Sequence, residues 1–225
     1  MVRFVVMAAG QATRMGRDKL ALACGQTTVL GHVLQTVLDG LELQKKLLRE
    51  FAGFSEPTME ILVVARRPPE EYLSGKTLTR FRELGGIWLQ VPCAIPLAET
   101  LRLGLSNLKE EIQTVGFLPG DQVGVTAQGL AGCFTQVLKQ SPDFLVPVSG
   151  GLVGSPVFFH RRYVEELRDL QGEQGGKSVL YRYPGLWTKY TVEEGFLQDV
   201  DTPEEYRLWT EQSRERHPDQ VSFTD

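Results

Sequence analysis

Cysteine and histidine are scarce in this sequence, which contains only three of each among its 225 residues. Cys24, Cys93 and Cys133 are widely spaced and form no CxxC pair or Cys/His ligand spacing. Their spacing argues against a structural zinc site and indicates reduced thiols. No apolar run approaches the ~20 residues that a membrane-spanning helix needs. We therefore expect a cytoplasmic protein with no membrane partner.

The sequence also lacks an excess of basic charge. It has 24 Lys and Arg against 28 Asp and Glu, a formal net charge of −4, and a pI near 5.5. Nucleic acid is therefore not expected as a partner, although a local cationic pocket for a nucleotide remains compatible with this balance. With 42% hydrophobic residues the chain can bury a substantial core. We expect one domain over residues 1–212 and a frayed polar tail over residues 213–225.

Short apolar runs alternate with helical patterns along the chain. The predicted strands are Val2–Met7, Ile61–Ala65, Ile87–Val91, Thr114–Leu118 and Phe144–Val148, and the predicted helices are Val29–Leu48, Leu97–Lys109, Gln128–Gln140, Arg161–Leu170 and Pro203–Arg214. This alternation predicts an α/β fold, a Rossmann-like three-layer α/β/α domain with a mostly parallel central sheet.

The loop after the first strand combines small residues with two cations. The small residues are Ala8, Ala9, Gly10 and Gly16, and the cations are Arg14 and Lys19. Small residues let backbone N–H groups approach a ligand, and the two cations suit phosphate oxygens in different ways. The loop is neither a Walker loop nor a GxGxxG fingerprint. A loop with solvent-exposed basic residues is the alternative interpretation.

Carboxylates follow at two later points in the chain. Asp121 comes directly after the strand in GFLPGDQ, where an open α/β sheet binds ligands and where a simple turn is the alternative. Asp199 and Asp201 alternate in a strand-like stretch before a helix, which Asp201 or Thr202 can cap. Asp121 and one of the later pair are candidate metal ligands. Because Asp201 is the better candidate for the cap, Asp199 is slightly favoured for the metal.

These motifs resemble those of the MobA-like NTP transferase superfamily. AAGQATRMGRDKL matches every fixed position of its N-terminal signature. GDQ at Gly120–Gln122 and DVDTPEEY at Asp199–Tyr206 are similar to the GDQP and DIDTPEDL motifs of the molybdenum cofactor cytidylyltransferase-like branch, with Val123 in place of the proline. The resemblance implies a fold of the nucleotide-diphospho-sugar transferase type.

The resemblance also implies an activity. The family transfers NMP, here CMP by preference, from an NTP to a phosphorylated acceptor such as molybdopterin or its molybdenum cofactor and releases pyrophosphate. It implies Mg²⁺ or Mn²⁺ as cofactor, CTP as the favoured substrate, and transient contact with a molybdoenzyme or cofactor-handling protein. The implied nucleotide-binding residues are Ala8, Ala9, Gly10, Arg14, Gly16, Lys19 and Thr100, the implied catalytic residues are Arg14, Lys19 and Asp121, and the implied metal ligands are Asp121, Asp199 and Asp201.

The middle of the chain resembles the family less closely. The implied acceptor-side residues are Gly154, Ser155 and Lys177. The chain departs from the family pattern at Val91, Val123, Val153 and Lys177. Two alternatives therefore stay open, a nucleotide-binding or regulatory protein that has lost transfer, and a cytidylyltransferase for a sugar phosphate, phosphocholine or isoprenoid precursor.

Overall fold

The computed structural model describes residues 1–10, 18–51 and 59–216. The strands are β1 (Val2–Ala8), β2 (Ala23–Cys24), β3 (Thr27–Thr28), β4 (Met59–Ala65), β5 (Ile87–Gln90), β6 (Thr114–Pro119), β7 (Phe144–Ser149), β8 (Leu152–Val153), β9 (Val157–His160) and β10 (Trp187–Thr191). The α-helices are α1 (Val29–Phe51), α2 (Gly75–Glu83), α3 (Leu97–Gly104), α4 (Ala127–Gln140), α5 (Val164–Arg168), α6 (Lys177–Leu180) and α7 (Pro203–Arg216).

Eight of these strands form one sheet in the order β10-β7-β9-β6-β1-β4-β5, with β8 paired to β7. β1 lies at its centre and pairs in parallel with β4 and β6. The strand β9 runs antiparallel between β6 and β7. The predicted mostly parallel α/β fold is therefore confirmed, and all five predicted strands are present. The sequence interpretation missed β8, β9 and β10, whose residues are short runs or half-exposed.

Helices cover both faces of the sheet, and β1 shows how the two cores divide. Phe4 and Val6 point into one core, which contains the buried faces of α1, α2 and α4. Val5 points into the other, which contains the buried faces of α3, α5 and α6. Alternate side chains of a strand face opposite sides of a sheet, so a strand that is apolar throughout is covered on both faces.

The apolar stripe of α1 explains why this helix lies on the sheet. The stripe repeats at three- and four-residue spacing and is fully buried: Leu30, Val33, Leu34, Val37, Leu38 and Leu41. Burying each such side chain is worth about 1.5–3 kcal/mol relative to exposing it. The helix begins directly after β3, and the hydroxyl of Thr28, the last residue of that strand, accepts the Gly31 N–H at 3.0 Å.

Several helices begin or end a few residues away from the predicted positions. The first helix runs on to Phe51, whereas α3 ends at Gly104 and α5 spans only Val164–Arg168 after a 3₁₀ turn. The last helix extends to Arg216, and residues 217–225 lie outside the described residues. The division into a domain over 1–212 and a tail over 213–225 stays a prediction. Of the helices described, none combines the length and apolar character needed to cross a membrane.

Candidate active site

A cavity of about 270 Å³ opens at the carboxyl edge of the sheet. It is lined by Met7, Ala8, Gly10, Asp18, Lys19, Leu20, Arg66, Leu97, Thr100, Pro119, Asp121 and Glu173. The parallel strands β1, β4 and β6 end here side by side, so the segments that follow each of them meet at one place. This edge is where open α/β sheets bind ligands.

Lys19 joins two of the predicted carboxylates at this cavity. Its ammonium Nζ donates to Asp201 Oδ1 at 2.7 Å and forms an ion pair with Asp121 Oδ2. The Lys19 and Asp121 side chains are 16% and 17% exposed, which limits the screening of their attraction by water. Burial alone would lower the pKa of Lys19, but the two carboxylates outweigh it and raise that pKa above its usual value. The ammonium is therefore charged at neutral pH.

Asp199 and Asp201 lie beside Asp121 because the segment before α7 runs along the β6 turn. Val200, between the two carboxylates, is fully buried and donates its N–H to the Asp121 carbonyl at 3.1 Å. Partial burial, followed by repulsion from Asp121 and Asp201, raises the pKa of the Asp199 carboxyl. The three carboxylates thus share one region. The stretch that holds Asp199 and Asp201 is not a strand, however, so the predicted strand-like alternation is wrong there.

The start of α7 makes its capping hydrogen bonds through Thr202. The Thr202 hydroxyl accepts the Glu205 N–H at 3.2 Å, while the Glu205 carboxylate accepts the N–H groups of Asp201 and Thr202. This reciprocal pattern is a capping box. The Asp201 carboxylate meets Lys19, so the reason for favouring Asp199 over Asp201 as the metal ligand no longer holds.

The small residues after β1 border the same cavity. Ala8 and Gly10 line it, and Ala9 is buried with its carbonyl accepting the Ile95 N–H at 3.1 Å. A Cβ built on Gly10 would meet no described atom within 4 Å. This position therefore leaves open space in which a ligand can approach the backbone. Arg14 and Gly16, the other predicted residues of this loop, lie outside the described residues.

Thr100 and the predicted acceptor residues occupy different places. Thr100 lines the cavity, and its hydroxyl donates to the Pro96 carbonyl at 3.3 Å. By contrast, Gly154, Ser155 and Lys177 are not among the described residues that line it. The turn that includes Glu173 does reach the cavity, because the Gly172 carbonyl accepts the first-turn N–H of Ala98 in α3.

Three polar residues of this region were missed from the sequence. Asp18 and Arg66 line the cavity and form an ion pair with an Oδ1–Nη2 distance of 2.9 Å. Gln122 is buried, and its side-chain amide donates to the carbonyls of Ser155 at 2.6 Å and Phe196 at 3.3 Å. The position of Arg66 directly after a central strand was the available signal for it. The contacts of Gln122 depend on the tertiary fold and had no local signal.

The donor set fits a magnesium-type cation that is shared with a substrate. Among the described residues, no three His, Cys, Asp or Glu side chains are grouped as a complete metal site. Asp121 and Asp201 nevertheless already share one positive charge, the Lys19 ammonium. Carboxylate oxygens are the ligands that Mg²⁺ prefers, and it is usually held by one or two of them together with water and substrate phosphates.

Comparison with solved structures finds the same fold in several known proteins. A homologue of Mycobacterium tuberculosis Rv0371c from Mycobacterium sp. strain JC1 is 19% identical, with a TM-score of 0.67 and 96% of this chain and 98% of that chain covered. Rv0371c of M. tuberculosis H37Rv, solved in complex with manganese, is 24% identical, with a TM-score of 0.59 over 93% and 98% of the chains. The 4-diphosphocytidyl-2C-methyl-D-erythritol synthase of Anaerococcus prevotii is 14% identical, with a TM-score of 0.63 over 95% and 98%.

Sequence comparison identifies the family. No curated protein sequence matches this chain. The family profile of the MobA-like NTP transferase domain, however, matches residues 4–186, which include most of β1, the described cavity-lining residues and the Asp121 turn. This match covers far more than half of the chain. The chain therefore belongs to the MobA-like NTP transferase family.

Proposed function

We propose that this protein transfers NMP, with CMP favoured, from an NTP to a phosphorylated acceptor and releases pyrophosphate. The observation that carries the proposal is the Lys19 ammonium held between Asp121 and Asp201 beside a cavity bordered by Gly10. A cation, a pair of carboxylates and an open glycine backbone are the groups that triphosphate binding and metal-assisted transfer require. The lean towards CTP rests on the AAG signature at Ala8–Gly10.

In the proposed mechanism the protein positions the substrates and supplies no nucleophile of its own. An acceptor phosphate oxygen attacks the α-phosphorus, the bond from the α-phosphorus to the bridging oxygen breaks, and pyrophosphate leaves. Backbone groups of Ala9 and Gly10 cradle the triphosphate, while Arg14 and Lys19 bind its oxygens. Such transfers depend on positioning and on electrostatic stabilisation of the charge that develops in the transition state.

Asp121 with Asp201 or Asp199 would hold the divalent cation. When bound there, such a cation would supply positive charge to stabilise the negative charge that develops on the phosphate oxygens. The Lys19 ammonium contacts the same two carboxylates, so it would compete with the metal and would have to leave them when the metal binds. We expect Lys19 to turn from the carboxylates to the phosphate oxygens as the nucleotide enters. Manganese in the complex of the related Rv0371c supports a divalent cation in this family.

The acceptor is the least constrained part of the proposal. Molybdopterin or its molybdenum cofactor follows from the sequence resemblance, and a molybdoenzyme or cofactor-handling protein would then be a transient partner. The similarity to a 4-diphosphocytidyl-2C-methyl-D-erythritol synthase supports an isoprenoid precursor as an alternative acceptor. A sugar phosphate or phosphocholine fits the same chemistry.

A second candidate function is nucleotide binding without transfer. It is favoured by one observation, that Gly154, Ser155 and Lys177 do not line the cavity that holds Lys19 and Asp121. In that case the protein would bind an NTP through the same residues and lack a place for the acceptor.

The first experiment compares the four NTPs with Mg²⁺ or Mn²⁺ by thermal unfolding, followed by pyrophosphate release with each class of acceptor. A ligand that binds only the native state raises the unfolding temperature by mass action. We expect CTP to give the largest shift and one acceptor class to release pyrophosphate. Binding without release for any acceptor would favour the second candidate, and no shift with any NTP would contradict both.

A further inference from the structure

Arg66 provides a second cation at the cavity, on the side away from Asp121. It follows β4 directly, and β4 and β6 flank the central strand β1. Arg66 lines the cavity together with Gly10 and Lys19, and its side chain is 24% exposed. A ligand lying over the end of β1 would therefore have Asp121 on one side and Arg66 on the other.

Asp18 fixes the position of Arg66. Its side chain is only 5% exposed and lies between the Arg66 and Arg67 guanidinium groups, with Oδ1 2.9 Å from Arg66 Nη2. The same carboxylate accepts the Leu20 N–H at 3.2 Å and the Tyr72 hydroxyl at 2.9 Å. One buried carboxylate thus contacts both the turn that begins at Asp18 and Arg66 at the end of β4. A guanidinium held in this way loses little further entropy when it binds a second anion.

The charges around the cavity show why binding of a polyphosphate needs a second cation besides Lys19. Lys19 is already shared between Asp121 and Asp201, and Glu173 adds another carboxylate to the lining. Among the described lining residues, two cations, Lys19 and Arg66, stand against three carboxylates, Asp18, Asp121 and Glu173, so an entering polyphosphate needs both cations. A guanidinium has five N–H donors, and the Arg66 Nε has no hydrogen-bond partner among the described residues.

We propose that Arg66 binds phosphate oxygens of the nucleotide and that Asp18 positions it for this contact. The inference rests on the proposed function and adds a residue and an anchor to it. Arg66 would act on the triphosphate, and its contribution would therefore be the same for every base. Its neighbour Arg67 pairs with the same Asp18 but is 45% exposed and does not line the cavity. Arg67 is therefore a matched control of the same residue type with the same partner.

The test measures the affinity of full-length Arg66→Met and Arg67→Met for pyrophosphate and for each of the four NTPs by calorimetry. Hydrogen bonds to charged groups predict a loss of roughly 10- to 100-fold for Arg66→Met with pyrophosphate and all four NTPs alike. Arg67→Met should bind as the wild type does. Wild-type affinity in Arg66→Met, or a loss confined to one base, would overturn the inference while the proposed function stands. A wild-type protein that binds none of these ligands would refute the proposed function itself.

Two further variants separate phosphate binding and positioning from a structural role. Arg66→Lys keeps the charge but lacks the planar fork that reaches Asp18 and a phosphate together, so we expect an intermediate loss of pyrophosphate affinity. Asp18→Asn should weaken pyrophosphate binding, and the Asp18→Asn/Arg66→Met double variant should lose no more than Arg66→Met alone. Additive losses in this double-mutant cycle would mean that Asp18 acts independently of Arg66, and would overturn the positioning role.

Discussion

The nucleotide side and the predicted acceptor side of this protein differ in how their polar groups are arranged. On the nucleotide side, charged groups from three chain segments meet within hydrogen-bonding distance, as Lys19, Asp121 and Asp201 show. On the acceptor side, Gly154 packs against Leu197 and Lys177 is exposed at the start of α6. The proposal places the chemistry in the first region because its charges are already held together, and the second region carries little that would select one acceptor.

The replacement Asp121→Asn is expected to give the largest effect, on the nucleotide side. It preserves shape but removes the charge that pairs with Lys19 and would bind the cation. Pyrophosphate release should fall by about 100-fold or more, the range seen when one preorganised electrostatic group is lost from an active site. Asp143→Asn is the control. Asp143 precedes β7, its carboxylate accepts a hydrogen bond from the Tyr163 hydroxyl, and it is not among the described residues that line the cavity. Wild-type turnover in Asp121→Asn would contradict the assignment.

A larger side chain at Gly10 should weaken ligand binding without unfolding the protein. The Cβ of a valine there would meet no described atom within 4 Å, and its side chain would occupy the space proposed for the triphosphate. If its crowding costs about 1–3 kcal/mol, as overpacking does, NTP affinity should fall by about 5- to 150-fold. Gly75→Val is a matched control, since Gly75 is equally unobstructed but lies at the start of α2. Equal NTP affinities for the two variants would place the ligand elsewhere.

Lys19→Met should have opposite effects on turnover and on metal binding. Turnover should fall because a phosphate-binding cation is lost. The affinity for Mn²⁺ without nucleotide should rise by about tenfold, because the carboxylates of Asp121 and Asp201 no longer have the ammonium between them. Electron paramagnetic resonance of free Mn²⁺ measures this directly. Lys177→Met, on the acceptor side, should leave Mn²⁺ affinity unchanged, and the same result for Lys19→Met would refute competition between ammonium and metal.

The smallest expected effect is on stability and comes from Asp199. Burial and the neighbouring carboxylates raise the pKa of this carboxyl in the folded state above its ordinary value of 3.8. At pH values between the pKa of this carboxyl in the unfolded chain and its higher pKa in the folded state, the folded state therefore binds more protons. The free energy of unfolding falls as the pH rises through this range. Asp199→Asn should raise the unfolding temperature at pH 7, without metal, by less than about 2–4 °C, since the side chain is only partly buried and water screens its charge. A gain that persists below pH 3.8 would contradict this cause.

The sequence predicted the parts of the fold that depend on local pattern. The stripe of α1 and the apolar runs of β1 and β6 are strongly periodic or uniformly apolar, and they form the elements expected of them. The helix α2 is polar apart from a few buried residues, and β10 is a half-exposed edge strand, so neither had a clear hydrophobic pattern. Their formation depends on packing against elements that are distant in the chain.

The candidate site shows the same division between local and tertiary information. Motifs pointed to Lys19, Asp121 and Asp201, because each lies beside an element that the sequence predicts. The pairing of Asp18 with Arg66 was not predictable, since it depends on β4 lying next to β1 in the sheet. Likewise, only the hydrogen bonds in the structure show that Thr202 caps α7, which keeps Asp201 a candidate metal ligand.

The central claim, nucleotidyl transfer at this cavity, is tested most directly by following a label from the α-phosphate of each NTP. The wild-type protein is incubated with Mg²⁺, α-labelled NTP and each class of phosphorylated acceptor. We predict that label from CTP enters one acceptor class with one pyrophosphate released per transfer, and that Asp121→Asn lowers both by about 100-fold or more. Absence of labelled acceptor and of pyrophosphate with all four NTPs and every acceptor class, from a protein that is folded, would contradict the account.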